Sequence, residues 1–121
     1  MLKESAYLHS EYEGETLTAE ILGEIDHHSA RPIREELDRL LYLYRPSHLE
    51  ISLQHVSFMD SSGLGLLMGR IALAESLACT VSITNVDARV RRILNLCGLK
   101  RITGVVIEEK SEREKTKGEA V

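Results

Sequence analysis

An aspartate followed by two serines is the most chemically suggestive part of this 121-residue chain. Asp60, Ser61 and Ser62 lie within segment 57–70, SFMDSSGLGLLMGR, which is typical of a strand that turns directly into a helix. All three side chains can accept hydrogen bonds from the free N–H groups of a first helical turn. A phosphate at this turn would meet the positive end of the helix dipole, although the Asp60 carboxylate would repel it. The residues alone therefore predict either a simple helix cap or a site of phosphate chemistry.

Glycines at positions 63, 65 and 69 follow the serines. A glycine inside a helix costs about 1 kcal/mol relative to alanine, so this number of glycines in one helix indicates a specific requirement. Gly65 and Gly69 are one helical turn apart and form a stripe of small residues, which would allow another backbone to approach closely. Phe58 and Met59 precede the turn, and we expect both to anchor it by packing.

Other phosphate-binding and nucleophile motifs do not fit this segment. A P-loop requires Lys and then Ser or Thr after its second glycine, and neither follows Gly69. A dinucleotide-binding fingerprint requires a glycine where Met68 stands. The Gly-x-Ser-x-Gly motif of a nucleophilic serine requires a glycine two residues before Ser61, where the chain has Met59. We therefore expect a protein that is not an enzyme and that uses no cofactor.

The histidines offer a weaker indication of catalysis. His27, His28 and His55 could supply a base to a serine nucleophile, as in an acyl-transfer hydrolase, or could ligate a metal. However, no spacing of cysteine, histidine and acidic residues supports a metal site. Because His27 and His28 directly follow Asp26, we expect the three to form a polar loop.

Composition excludes several other classes of protein. The net charge is −4 and hydrophobic residues make up 43% of the chain, which is typical of a globular domain. An acidic chain lacks the electrostatic footprint of a nucleic-acid binder, and no apolar run approaches the ~18 residues of a membrane span. The first residues lack the apolar core of a secretory signal. Since Cys79 and Cys97 form neither a CxxC motif nor a zinc spacing, we expect a cytoplasmic protein with both thiols reduced.

Hydrophobic periodicity predicts strands alternating with helices. Strands are expected at 6–12, 16–22, 48–53, 80–84 and 102–107, with a connection at 54–60. Three helices are expected: one from a cap at Ser29 to just before Pro46, one from Ser62 to Leu77, and one from a cap at Asn85 or Asp87 to Leu96. Gly98 would close the last of them. This order predicts an α/β fold, a single domain with a mixed β-sheet of about four to five strands covered by helices. We place that domain at 1–107 and expect the charged tail, 108–121, to be a frayed helix or disordered.

Two stretches together resemble a known family. Residues 23–30, GEIDHHSA, and residues 57–65, SFMDSSGLG, resemble the paired motifs of the anti-sigma factor antagonists, which are STAS domain proteins. The resemblance covers about residues 5–107 and is strongest to the antagonists of spore-forming bacteria. It implies a STAS-like fold and a role in transcription regulation during sporulation.

The resemblance also implies a mechanism. Members of the family bind an anti-sigma factor that is also a serine kinase, which frees the sigma factor. The kinase then phosphorylates the antagonist, and a separate serine phosphatase restores it. The position that matches the phosphoacceptor is Ser61, with Ser62 chiefly a cap. Residues that match partner-binding positions of the family are Asp26, His27, His28, Asp60, Ser62, Gly63 and Leu64. An alternative is a STAS scaffold subunit of a larger stress-signalling assembly.

Overall fold

The structure is a computed structural model, and it describes residues 2–4, 7–96, 98 and 105–109. Within these residues the chain forms strands and helices in the order β1 (Leu2–Glu4), β2 (Leu8–Glu13), β3 (Thr16–Ile25), α1 (His27–Tyr44), β4 (His48–Met59), α2 (Ser61–Ser76), β5 (Thr80–Val86), α3 (Ala88–Leu96) and β6 (Val105–Glu109). The predicted α/β class is confirmed.

The strands form one six-stranded sheet in which spatial order follows sequence order. Strands β1, β2 and β3 are antiparallel, and β3 to β6 are parallel. The sheet is therefore mixed, as predicted, with more strands than expected because the short edge strand β1 carries no clear alternation. Successive parallel strands advance in one direction, and right-handed crossovers then place α1 and α2 on the same face of the sheet.

The core lies between that face and the helices, and it is aliphatic. Leu17, Ile51 and Ile83 occupy three adjacent strands and are fully buried. Ile33 and Leu67 cover them from α1 and α2 and are also fully buried. With one phenylalanine and no tryptophan in the chain, branched aliphatic residues must supply most of the buried apolar area.

Strand β4 is longer than predicted. The expected connection at 54–60 is wrong, since β4 continues to Met59 and pairs there with β3, which itself continues to Ile25. Register shifts between Glu20 and Leu22 and between Gly23 and Glu24 interrupt the side-chain alternation there. The length of a strand is set by its backbone pairing and not by the polarity of its side chains. The polar residues of 54–59 therefore did not show that this stretch continues the strand.

The helix boundaries differ from the prediction at α1 and agree more closely elsewhere. Helix α1 begins at His27 with Asp26 as its cap, so the predicted cap at Ser29 is wrong. Of the two candidate caps for α3, Asp87 accepts a hydrogen bond from the Val90 N–H at 2.8 Å. The other candidate lies in β5. Gly98 has a positive φ of 75° at the end of α3, as a closing glycine should.

The remaining predictions concern the C-terminal part of the chain and the thiols. Strand β6 runs to Glu109, whereas 102–104, tail residues 110–121 and Cys97 lie outside the described residues. Cys79 is a buried free thiol, and burial raises its pKa. Among the described residues, no helix is long and apolar enough to cross a membrane. Within the same ranges, no three His, Cys, Asp or Glu side chains cluster as metal ligands.

Candidate functional site

The two motifs meet at the carboxyl ends of β3 and β4. Ile25 pairs with Met59 in the parallel ladder, and the Asp60 N–H donates a hydrogen bond to the Ile25 carbonyl at 3.1 Å. Asp26 and Asp60 therefore follow neighbouring strand ends, and each begins a helix. Loops at the carboxyl ends of parallel strands are the usual location of functional sites in such sheets. The structure thus brings together the N-terminal turns of α1 and α2.

A reciprocal capping box fixes the first turn of α1. One carboxylate oxygen of Asp26 accepts hydrogen bonds from the backbone N–H groups of His28 at 2.9 Å and Ser29 at 3.0 Å. The Ser29 hydroxyl accepts from the Asp26 N–H at 3.0 Å and donates to the Glu24 carbonyl at 2.7 Å. The hydrogen bond from the Ser29 N–H is the largest cause that holds the pKa of Asp26 below its usual value. Asp26 is therefore a fixed anion whose position is set by the helix it caps.

His27 and His28 are the first two residues of α1, so their predicted place in a polar loop is wrong. Both side chains are exposed, and their ring centroids lie 4.0 Å apart. The capping bonds of Asp26 rigidify the backbone that carries them. The pair is thus a preformed polar surface beside the end of β3.

At the start of α2, capping and exposure are divided between neighbouring residues. The Asp60 carboxylate accepts a hydrogen bond from the Ser62 N–H at 2.7 Å, so Asp60 is the cap, and the capping role expected of Ser62 is wrong. Ser61 is exposed, whereas Ser62 is half-buried. Among the described residues, the Ser61 hydroxyl has no hydrogen-bond partner. Ser61 therefore presents a free hydroxyl at a helix N-terminus that another residue caps.

Gly63 allows α2 to lie against the ends of the strands. A Cβ atom at Gly63 would overlap Met59 Cγ and would lie 2.7 Å from Met59 Sδ and 3.2 Å from Ile25 Cγ2. Gly65 and Gly69 have open space at the same position, so the close approach expected at their stripe occurs at Gly63 instead. The buried glycine and the buried Met59 together set how closely Ser61 approaches the β3 end.

Apolar side chains are exposed around this turn. Phe58 is 45% exposed, so it does not anchor the turn as expected, whereas Met59 does. Met68 is 42% exposed and lies two helical turns after Ser61 on the same face of α2. Leu64, which lies between Ser61 and Met68 in the sequence, is half-buried. Phe58 and Met68 therefore leave apolar side chains exposed before and after the Asp60–Ser62 turn in the sequence.

Three arginines near this site were not found from the sequence. Arg31, Arg34 and Arg70 line a groove between α1 and α2 that begins beside Ser62. The groove depends on how α1 and α2 pack against each other, and this packing cannot be predicted from a local pattern in the sequence.

Comparisons with known proteins show which family this chain resembles. The family model for the STAS domain matches residues 7–113. An anti-sigma F factor antagonist of Paenibacillus polymyxa is 32% identical over 93 residues, which are 77% of this chain and 80% of that one. An anti-sigma-B factor antagonist of Bacillus subtilis is 37% identical over 92 residues, which are 76% and 81% of the two chains. The solved structure of the Bacillus cell fate determinant SpoIIAA in its phosphorylated form is 26% identical, with a TM-score of 0.67 over 91% of this chain and 96% of that one.

Proposed function

This chain belongs to the STAS domain family, and from that premise we propose that it is an anti-sigma factor antagonist. It binds an anti-sigma factor that is also a serine kinase, and this binding releases a sigma factor. The protein acts in the cytoplasm, where sigma factors act, and its relatives among the anti-sigma F factor antagonists favour a role in sporulation. It is a regulatory binding protein and performs no chemistry of its own.

One observation carries this proposal, which is the free and exposed Ser61 hydroxyl at the meeting point of the two motifs. A kinase can reach this hydroxyl without opening the domain. The neighbouring cap is made by Asp60, so modification of Ser61 leaves the helix start intact. Ser61 is thus the proposed phosphoacceptor, and a serine phosphatase would reverse the modification.

The electrostatics of the site explain how one phosphate could end binding. Phosphorylation adds a charge of about −1.5 to −2 at pH 7. This charge would be added next to Asp60, at a turn that adjoins the one capped by Asp26, on a surface that the bound partner must desolvate. Since about 1.4 kcal/mol changes an affinity tenfold, repulsion of a few kcal/mol suffices to release the partner. The surface proposed to contact the kinase comprises Asp26, His27, His28, Asp60, Ser62, Gly63 and Leu64.

The test is phosphorylation by the anti-sigma factor kinase encoded in the same genome. The purified protein is mixed with this kinase and ATP. The mass of the intact protein is then measured, and the modified residue is located by peptide mapping. One phosphoryl group on Ser61 is expected, absent in Ser61→Ala and retained in the matched control Ser62→Ala. Modification of Ser62 instead, or no modification by a kinase that is active on another substrate, would contradict the proposal.

Binding of the same kinase provides a second readout. Ser61→Ala should bind the kinase about as the wild type does, because it adds no charge to the contact surface and breaks no hydrogen bond within the described residues. Ser61→Asp should bind more weakly, since it places a carboxylate where the phosphate would be. Equal binding by both variants would count against Ser61 as the switch.

A further inference from the structure

A groove with a volume of about 560 Å³ runs between α1 and α2 from Ser62 towards Arg70. Gly65 and Gly69 form part of its α2 wall. Apart from their chain neighbours and the adjacent backbone of α2, no atom of the described residues lies within 4 Å of the place where a Cβ would be at either glycine. The absence of these two side chains opens the groove. Each glycine carries the helix-propensity cost of about 1 kcal/mol, so the opening is maintained against local helix stability.

Arg70 lines the groove with a guanidinium that is not fully satisfied. Its side chain is 9% exposed, and its Nε lies 2.7 Å from an oxygen of Asp38. The angles of this contact do not make a hydrogen bond, and among the described residues Arg70 Nε and Nη1 have no hydrogen-bond partner. Burial lowers the pKa of Arg70, and the nearby positive charge of Arg34 lowers it further, against the opposing effect of Asp38. Both nitrogens are closed to solvent, and Nε faces Asp38 Oδ1, which also has no hydrogen-bond partner among the described residues. Arg70 therefore contributes a buried, ion-paired positive charge to the wall of the groove.

The charges around the groove are unequal. Arg31, Arg34 and Arg70 all line it. Arg31 is paired with Glu35 at 3.1 Å in an exposed ion pair, and Asp38 is the carboxylate next to Arg70. Arg34 has no ion-pair partner within the described ranges. One guanidinium charge is therefore left uncompensated in a groove that also holds an incompletely bonded arginine.

We propose that this groove receives an aspartate or glutamate side chain from an acidic segment of the anti-sigma factor kinase. The carboxylate lies over Gly65 and Gly69 and binds the exposed guanidinium of Arg34, because charge-assisted hydrogen bonds to guanidinium are among the strongest in proteins. The buried charge of Arg70 adds to the positive potential of the groove. The inference rests on the proposed function. It adds a second contact with the kinase, at a positively charged groove beside the negatively charged Ser61 turn.

A peptide titration tests the groove without the kinase. The full-length ¹⁵N-labelled protein is titrated with acetylated hexaglutamate, and hexalysine and inorganic phosphate are titrated separately. Saturable shifts of the Gly65 and Gly69 amides by hexaglutamate alone, lost in Arg34→Glu and kept in Arg39→Glu, would support the inference. Arg39 lies on the same helix outside the groove and gives the same change of charge. The inference would be overturned if phosphate alone shifted these amides, or if none of the three titrants did.

Kinase binding distinguishes this inference from the proposed function. Arg34→Glu removes the charge and Gly69→Leu fills the groove, and each should weaken binding of the kinase at least tenfold, whereas Arg39→Glu should stay within twofold. Equal binding by all these variants would overturn the groove contact and leave the proposed function standing. Failure of the wild-type protein to bind would overturn the proposed function, and the peptide titration would still decide whether the groove binds carboxylates.

Discussion

Replacing Gly63 by alanine should destabilise the domain, although the same change elsewhere in α2 should stabilise it. Helix propensity favours alanine by at most about 1 kcal/mol. The new methyl group, however, would lie 2.7 Å from Met59 Sδ and 3.2 Å from Ile25 Cγ2, closer than packed atoms approach. Overpacking of this kind typically costs about 1–3 kcal/mol. The overlap also includes Met59 Cγ, near the base of the side chain, so rotation of the sulfur end alone cannot relieve it.

The matched control is Gly69→Ala in the same helix, where the added methyl group meets open space. This variant should be more stable than the wild type by up to about 1 kcal/mol. The difference in unfolding free energy between the two variants, measured by urea denaturation followed by circular dichroism, should then be about 1–3 kcal/mol, the overpacking cost itself. If Gly63→Ala stabilises the protein as much as Gly69→Ala, the close approach of α2 to the strand ends is refuted.

Three other predictions concern ionisable groups. The pKa of Asp26 is below its usual value of 3.8 in the folded state, so the stability that its ionisation adds is complete above pH 3.8 and is lost as the pH falls through the folded-state pKa. Asp26→Asn should therefore lower the urea midpoint at pH 7 and lose less stability on acidification than the wild type; parallel pH profiles would contradict this. Asp38→Asn should destabilise the protein by about 1–3 kcal/mol, the cost of leaving a buried polar group unsatisfied, because it leaves buried Arg70 without its carboxylate. Adding Arg70→Met should restore most of the loss in the same urea assay. In a Cys97→Ser background, Cys79 should react with iodoacetamide far more slowly in the folded protein than in urea, since burial both raises its pKa and blocks access; equal rates would show that the thiol is exposed.

The sequence predicted the elements whose side chains alternate between a buried and an exposed face. Residues 16–22 and 80–84 were placed correctly because their apolar residues repeat with a period of two. The same rule failed at 54–59, where bulges in the β3–β4 ladder break the alternation. It also placed the start of α1 too late, because Ser29 and Asp26 are both good caps and only the folded capping box shows which residue is outside the helix.

The site was predictable in its residues but not in its division of roles. Both motifs were found, since each carries an unusual combination of acidic, hydroxyl and glycine residues. Which of Asp60 and Ser62 caps α2 depends on backbone angles that any of these residue types can adopt. The groove lined by Arg34 and Arg70 was not predictable, because these residues come from different helices and become neighbours only when α1 packs on α2.

The division of roles at α2 bears directly on how a phosphate could act as a switch. If Ser61 were the cap, its phosphorylation would alter the start of α2 and would therefore change the stability of the domain as well as its binding of the partner. Because Asp60 holds the cap, the helix dipole and the Asp60 carboxylate act on the phosphate with opposite signs, and each effect is about 1 kcal/mol or less at an exposed position. A phosphate on Ser61 would therefore change the stability of the folded domain little, and its charge would act mainly on the proposed partner. A domain with the usual net stability of about 5–15 kcal/mol can be switched in this way without being unfolded.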